Sequence, residues 1–102
     1  MARKTVKLLA ICGNGLGSSL IVKMSLEEVI EELQINAIVE STSVAEAAGM
    51  MPFCDIILTS IGFWPGIQDR VPDGKEVIVV KNLLDKEELS KAVREKIEAM
   101  QS

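Results

Sequence analysis

The chain has 102 residues, a hydrophobic content of 48% and a formal net charge of −4. Its length favours a single domain over residues 1–102, and its hydrophobic content excludes a disordered chain. The net negative charge gives no indication of a basic surface that would bind nucleic acid. No apolar run approaches the roughly 20 residues that a membrane span needs.

The numbers of cysteine and histidine residues limit the kinds of catalysis and metal binding that are open to the chain. The chain has two cysteines and no histidine, which excludes Ser-His and Cys-His dyads, histidine metal ligands and phosphohistidine. We expect neither a metal nor a cofactor, and cysteine is the best remaining nucleophile for covalent phosphoryl transfer. Two cysteines, one of them beside a glycine-rich turn, suit a reducing compartment better than a disulfide scaffold. The short apolar run near the N-terminus does not fit a signal peptide, so we predict a cytoplasmic protein.

A strand, a glycine-rich turn and a helix start open the chain. The apolar run Val6–Ile11 predicts a buried strand that ends at Cys12, and three glycines at alternate positions lead to a helix that starts at Gly17 or Ser18. Glycines let backbone N–H groups approach an anion closely, and a helix N-terminus favours negative charge. We therefore predict that Cys12 is a nucleophile that becomes transiently phosphorylated. The predicted phosphate-binding loop comprises Gly13, Asn14, Gly15, Leu16, Gly17, Ser18 and Ser19.

The first helix has the apolar periodicity of a helix that packs on a core. Leu26, Val29, Ile30 and Leu33 recur at helical spacing, and the glutamates between them predict a solvated face. We expect the helix to end near residues 34–36, with Asn36 as its C-terminal residue.

The middle of the chain predicts a second strand and a short helix. The strand covers Ala37–Glu40. Ser43 and Glu46 have the spacing of a capping box, which predicts a helix from Val44 to about Met50.

Two more strands and a final helix follow. The nearly continuous apolar run Asp55–Ile61 predicts a parallel strand buried on both faces, and Glu76–Val80 predicts the fourth strand. Between them, Gly62–Gly66 is predicted as a loop, in which Phe63 and Trp64 either pack over the end of the sheet or form a partner-docking surface. Asp85 is predicted to cap the last helix, with Glu88 three residues on.

The alternation of strands and helices predicts an α/β fold, with a four-stranded parallel sheet, helices on both faces and a Rossmann-like phosphate loop after the first strand. Ligands bind at the carboxyl ends of such strands. We therefore expect the residues that follow the other strands to share a rim with Cys12; these are Ser41, Thr42, Ser60, Lys81 and Asn82. Cys54 precedes the third strand, so we expect it to be a buried packing residue at the opposite end of the sheet, beyond disulfide reach of Cys12.

Other phosphate-binding motifs fit less well. The glycine spacing is wrong for a dinucleotide site, although Glu40 stands roughly where a ribose-binding acid would, and no lysine is present for a P-loop. A low-molecular-weight tyrosine phosphatase has a Cys-x5-Arg loop, but Ser18 occupies the arginine position here and no Asp-Pro general acid follows. Without the arginine clamp and the acid we expect poor hydrolysis and a longer-lived phosphocysteine.

The loop from Cys12 to Ser19 resembles that of the enzyme IIB components of the bacterial phosphoenolpyruvate-dependent sugar phosphotransferase system (PTS). The likeness is greatest to the ascorbate branch of the lactose/galactitol-like IIB proteins, whose loop runs Cys-Gly-x-Gly-x-Gly-Ser-Ser. The resemblance implies one EIIB type-2-like domain, a transferase in which Cys12 accepts a phosphoryl group from phosphohistidine of a IIA protein. Cys12 would then donate it to a sugar held by the membrane IIC permease. A IIB-like regulatory domain and a phosphatase-like hydrolase remain the alternatives.

Overall fold

The structure, a computed structural model, describes residues 5–13 and 16–101, and for residues 16–19 and 101 it describes the backbone alone. Within these ranges, four strands alternate with four helices. The elements are β1 (Val6–Cys12), α1 (Leu16–Leu33), β2 (Ala37–Ser43), α2 (Val44–Met50), β3 (Ile56–Ser60), α3 (Trp64–Ile67), β4 (Glu76–Val80) and α4 (Lys86–Gln101). Single 3-10 turns follow α2 and α3.

The four strands form one parallel sheet in the order β2-β1-β3-β4. The strand β1 lies inside this sheet and pairs with β2 on one side and β3 on the other. The chain therefore leaves β1 in one direction and returns to its other side, which makes the carboxyl end of β1 the topological switch point of the sheet. The predicted fold class is confirmed.

The sheet is buried on both faces by two separate clusters of apolar side chains. Alternate residues of β1 point to opposite faces, so Leu8 and Ala10 join the cluster under α1 and α4, whereas Leu9 and Ile11 join the one under α2 and α3. This explains the continuous apolar runs at residues 8–12 in β1 and 56–58 in β3.

Helix α1 begins and ends earlier than the sequence indicated. It begins at Leu16 rather than at Gly17 or Ser18, and Gln34, not Asn36, is the residue that stops it. Gln34 has a φ of 56°, its N–H donates to the Glu31 carbonyl, and the Ile35 N–H donates to the Ile30 carbonyl. These two bonds form a Schellman motif.

Strand β2 is longer than predicted and runs through Ser43. Its polar second half pairs with the end of β1, with Thr42 opposite Ile11 and Ser43 opposite Cys12. The prediction that Ser41 and Thr42 follow the strand on the rim is therefore wrong, because both lie within β2. Ser43 does occupy the N-cap of α2, but its hydroxyl donates to Glu46 (3.4 Å) and does not cap a helix N–H.

The segment predicted as a loop after β3 contains the short helix α3. Pro65 lies in its first turn, where a missing N–H costs nothing. The helix is anchored by Ile67, which is fully buried among the side chains under α2 and α3. Phe63 and Trp64 are half-buried, and each packs against one of the two apolar clusters, as the packing interpretation predicts.

Helix α4 begins where the sequence indicated. The Asp85 carboxylate accepts hydrogen bonds from the N–H groups of Glu87 (3.1 Å) and Glu88 (3.2 Å), which makes Asp85 the N-cap. The capping box is incomplete, however, because the Glu88 side chain does not reach back to the Asp85 N–H. That N–H donates to the Asn82 carbonyl instead (3.1 Å).

Candidate active site

Cys12 is the last residue of β1 and lies at the topological switch point of the sheet. Its side chain is 2% exposed and joins the apolar cluster on the side of α1 and α4. Both Cys12 and Cys54 are thiols. The nucleophile predicted from the sequence is therefore at the edge of the sheet where α/β proteins bind their ligands.

The predicted phosphate-binding loop lies only partly within the described residues. Asn14 and Gly15 lie outside them, and the backbone of Leu16–Ser19 forms the first turn of α1. The first four N–H groups of a helix have no partner within the helix, and the helix dipole adds positive potential at the same point. Three residues separate Cys12 from this turn, so the thiol and the N-terminus of α1 are close neighbours along the chain.

Gly13 is tightly packed against an aromatic ring. A Cβ atom at this position would lie 3.1 Å from Cζ and 3.3 Å from Cε1 of Phe63. A side chain at position 13 would therefore require the Phe63 ring to shift by a few tenths of an ångström, and Phe63 covers the residue that follows Cys12. Phe63 thus belongs to the wall of the site.

Thr59 supports the end of β1 from the neighbouring strand. The pairing of β1 with β3 extends from Leu8 to Ala10, so the next carbonyl that faces β3, that of Ile11, lies beyond the paired region. The fully buried Thr59 hydroxyl donates to this carbonyl at 3.0 Å. Sequence reasoning missed this residue; the signal available was a threonine directly after the apolar run at residues 56–58 of a buried strand.

A cleft of about 250 Å³ opens beside Cys12 at the carboxyl ends of the strands. Ser60, Lys81 and Asn82 line this cleft, so the prediction that they share a rim with Cys12 is confirmed. Ser41 and Thr42 are not among its described lining residues, which are Cys12, Gly13, Val22, Ser60, Phe63, Lys81, Asn82, Leu83 and Leu84.

The segment between β4 and α4 forms one wall of the cleft and is held by Glu88. The Lys81 N–H donates to Oε2 of Glu88 (2.7 Å) and the Asn82 N–H donates to Oε1 (3.0 Å). Hydrogen bonds to a carboxylate are stronger than those between neutral groups. The Asn82 side chain also accepts the Leu84 N–H at 2.9 Å, and Leu83 is buried in the core. This wall is therefore fixed from several directions.

Cys54 lies at the amino end of β3, at the other end of the sheet from Cys12. It is 5% exposed, and its thiol contacts the Met50 carbonyl at 3.4 Å. Burial raises the pKa of the Cys54 thiol, and the nearby Lys7 and Lys75 charges offset only part of this effect. These observations confirm the prediction that Cys54 is a buried packing residue.

The described part of the chain contains neither a candidate metal site nor a candidate membrane span. Among residues 5–13 and 16–101, no group of three or more His, Cys, Asp or Glu residues is arranged to hold a metal ion. Within the same ranges no helix is both long enough and apolar enough to cross a membrane.

Comparison with known proteins identifies the family. Residues 7–95 match the family model described as the PTS system, lactose/cellobiose-specific IIB subunit. The chain belongs to this family. As a IIB subunit it is a phosphotransferase component of bacterial sugar transport. A relative from Mycoplasma pneumoniae, named the ascorbate-specific PTS system EIIB component, is 36% identical over 94 residues, which cover 91% of this chain and 96% of the relative.

Solved structures of low sequence identity share the fold of this IIB subunit. The lactose-specific IIB component domain from Streptococcus pneumoniae superposes with a TM-score of 0.66 at 17% identity and covers 93% of this chain and 97% of its own. A low molecular weight protein tyrosine phosphatase from Bacillus subtilis gives a TM-score of 0.59 at 12% identity over 94% of this chain and 97% of its own. At these identities the likeness concerns the fold alone.

Proposed function

We propose that this IIB subunit is a cytoplasmic phosphocysteine carrier, formed by one EIIB type-2-like domain over residues 1–102. Cys12 accepts a phosphoryl group from phosphohistidine of a IIA protein and donates it to a sugar held in the membrane IIC permease. The observation that carries this proposal is the position of Cys12, which ends β1 at the switch point of the sheet, directly before the turn into α1 and beside a cleft.

The proposed chemistry consists of two in-line transfers. In the first, the Cys12 thiolate attacks phosphorus, the S–P bond forms, the P–N bond to the donor histidine breaks, and the imidazole keeps the bonding electron pair. In the second, a sugar hydroxyl attacks the same phosphorus, the S–P bond breaks, and the thiolate leaves while the hydroxyl proton passes to a base of the acceptor complex. Catalysis of such transfers rests on positioning and on stabilising charge.

The phosphate-binding groups of the proposal are the backbone N–H groups of the loop and the first turn of α1. These groups belong to Gly13, Asn14, Gly15, Leu16, Gly17, Ser18 and Ser19. Preorganised N–H donors at a helix N-terminus stabilise the charge on the phosphoryl oxygens without reorganising during the reaction.

The lining of the cleft favours a carrier over a hydrolase. A phosphatase of this fold needs an arginine in its loop and a carboxylic acid that protonates the leaving group. Ser18 stands at the arginine position, and no Asp or Glu is among the described residues that line the cleft. A phosphocysteine in such a site loses its phosphoryl group slowly to water and survives until the acceptor binds.

The surroundings of the cleft favour protein partners. Leu84 lines the cleft and is 59% exposed, and Leu20, Ile21 and Met24, in the early turns of α1, are exposed to a similar extent. Exposed apolar side chains at one end of a molecule are typical of protein interaction surfaces. We infer that the IIA and IIC partners dock here, and the names of the relatives favour an ascorbate-like sugar, with a galactitol-like one as the alternative.

Reconstituted phosphoryl transfer tests the proposal. The subunit is incubated with phosphoenolpyruvate, the general phosphotransfer proteins and a IIA protein, and covalent phosphate is measured for the wild type, Cys12→Ser and Cys54→Ser. We expect uptake by the wild type and Cys54→Ser and none by folded Cys12→Ser. Uptake by Cys12→Ser, or rapid turnover of an aryl phosphate by the wild type, would contradict the carrier role. Uptake without transfer to any sugar in the presence of IIC would favour a regulatory domain.

A further inference from the structure

Among the described residues that line the cleft beside Cys12, Lys81 is the one with a charged side chain. A phosphoryl group on Cys12 would bring a charge of about −1.5 to −2 at neutral pH, as phosphate esters do. The loop from Gly13 to Ser19 contains neither lysine nor arginine. Apart from backbone dipoles, the loop itself therefore supplies no positive charge to the phosphoryl group.

We propose that Lys81 supplies the positive charge of the phosphoryl site and that Glu88 is a positioning residue, which holds Lys81 at the wall of the cleft. This inference rests on the proposed phosphorylation of Cys12 and adds a catalytic residue from outside the loop.

The Lys81 ammonium is available for this role. Lys81 is an exposed residue, and within the described part of the chain it makes no salt bridge. Two other lysines on the same side of the sheet are already engaged, because Lys86 pairs with Glu28 and Glu32, and Lys96 pairs with Glu76. An unpaired cation at the wall of an anion-binding cleft attracts a phosphoryl group without first breaking another ion pair.

Glu88 fixes the backbone from which the lysine extends. Its two carboxylate oxygens accept the N–H groups of Lys81 and Asn82 at 2.7 and 3.0 Å, so both oxygens are directed at the β4–α4 segment. Asp85 caps α4, so the Glu88 carboxylate is not required to start the helix. The Glu88 carboxylate is not among the described groups that line the cleft, so it orders the wall from behind.

The titration of the phosphocysteine by ³¹P NMR tests the role of Lys81. A neighbouring ammonium favours the dianion, so the midpoint of the titration is expected to rise by about 0.2 to 0.7 pH units in Lys81→Met, the range of an exposed ion pair. Lys81→Arg should restore it. Lys91→Met, which removes the same charge from an exposed position on α4, should leave the midpoint unchanged. Equal midpoints for the wild type and Lys81→Met would overturn the inference.

The coupling between Lys81 and Glu88 tests the positioning role. We expect Lys81→Met to slow transfer from Cys12 about three- to tenfold in the wild-type background and distinctly less in Glu88→Ala, because the lysine is no longer held there. Glu88→Gln keeps one acceptor oxygen, so the effect of Lys81→Met in a Glu88→Gln background should lie between its effects in the wild-type and Glu88→Ala backgrounds. Glu87→Gln, at the adjacent exposed position, is the control for charge. Additive effects in the double variant would refute the positioning by Glu88.

Inorganic phosphate separates this inference from the proposed function. Phosphate is titrated into the unphosphorylated subunit and followed by amide NMR shifts, and Lys81→Met is expected to weaken binding about threefold or more at low salt. If this loss occurs but no donor phosphorylates Cys12, Lys81 is an anion-binding residue and the carrier function fails. If Cys12 is phosphorylated but Lys81→Met and Lys91→Met behave alike in both titrations, the inference fails and the carrier function stands.

Discussion

Replacing Thr59 by valine tests whether one buried hydrogen bond supports the end of β1. Valine has nearly the same shape as threonine, so the packing of a fully buried side chain is preserved and no cavity is created. The 3.0 Å bond from the Thr59 hydroxyl to the Ile11 carbonyl is lost. Thr59→Val therefore isolates the hydrogen bond from the packing around it.

The magnitude follows from the position of the Ile11 carbonyl. Pairing between β1 and β3 stops at Ala10, so no ladder hydrogen bond from β3 can replace the lost hydroxyl. A buried acceptor left without a partner costs about 1–3 kcal/mol, and the extra methyl group of valine offsets part of that cost. We expect a loss of about 2 kcal/mol in the free energy of unfolding, which for a domain of this size lowers the Tm by about 8–16 °C.

Urea denaturation of a matched set of variants gives the assay. Thr59→Ser keeps the hydroxyl and removes one methyl group, which should cost about 1 kcal/mol. Thr42→Val makes the same chemical change at a buried threonine (7% exposed) in β2, on the other side of β1 from this carbonyl. If Thr59→Val and Thr42→Val differ by less than about 0.5 kcal/mol, the reasoning about the Ile11 carbonyl is wrong.

Three further predictions follow from single contacts. Gly13→Ala should lower the free energy of unfolding by about 1–3 kcal/mol, since its Cβ would lie 3.1 Å from Phe63 Cζ. The loss should be smaller in a Phe63→Leu background, and equal losses in the two backgrounds would contradict a role for Phe63. Asp85→Ala should cost about 1 kcal/mol in urea melts because two helix N–H groups lose their cap, whereas Asp73→Ala, at an exposed turn, should cost little. Burial raises the pKa of the Cys54 thiol, so its thiolate fraction at pH 8 is reduced. In Cys12→Ser, alkylation of Cys54 should be slow at pH 8, accelerate at higher pH and reach the rate of an ordinary thiol in urea, and rapid alkylation of folded Cys12→Ser at pH 8 would contradict this.

The parts of the fold that the sequence predicted are those governed by local signals. Continuous apolar runs identify β1 and β3 because both faces of each strand are buried, and Asp85 identifies the start of α4 because a cap acts on its own helix. The proposed role of Cys12 as the nucleophile rests on a signal of the same kind, because the glycines that follow it have no comparable use in an ordinary strand end. These signals depend on neighbours in sequence alone.

The features that the sequence did not predict depend on contacts between distant segments. Ser41–Ser43 look like loop residues by composition, and they extend β2 because the end of β1 lies beside them. The turn after β3 becomes helical because buried Ile67 anchors it. The roles of Thr59 and Glu88 depend on where a strand pairing stops and on which N–H groups come within reach of a carboxylate.

Mass spectrometry of the phosphorylated subunit tests the central claim most directly. The intact subunit is analysed after incubation with phosphoenolpyruvate, the general phosphotransfer proteins and a IIA protein at neutral pH, and the modified peptide is then sequenced. A IIB carrier should gain one phosphoryl group, located on Cys12 and absent from Cys12→Ser. A phosphoryl group on any other residue, or none with a series of IIA donors that phosphorylate their own IIB partners, would contradict the assignment of Cys12 as the phosphocysteine.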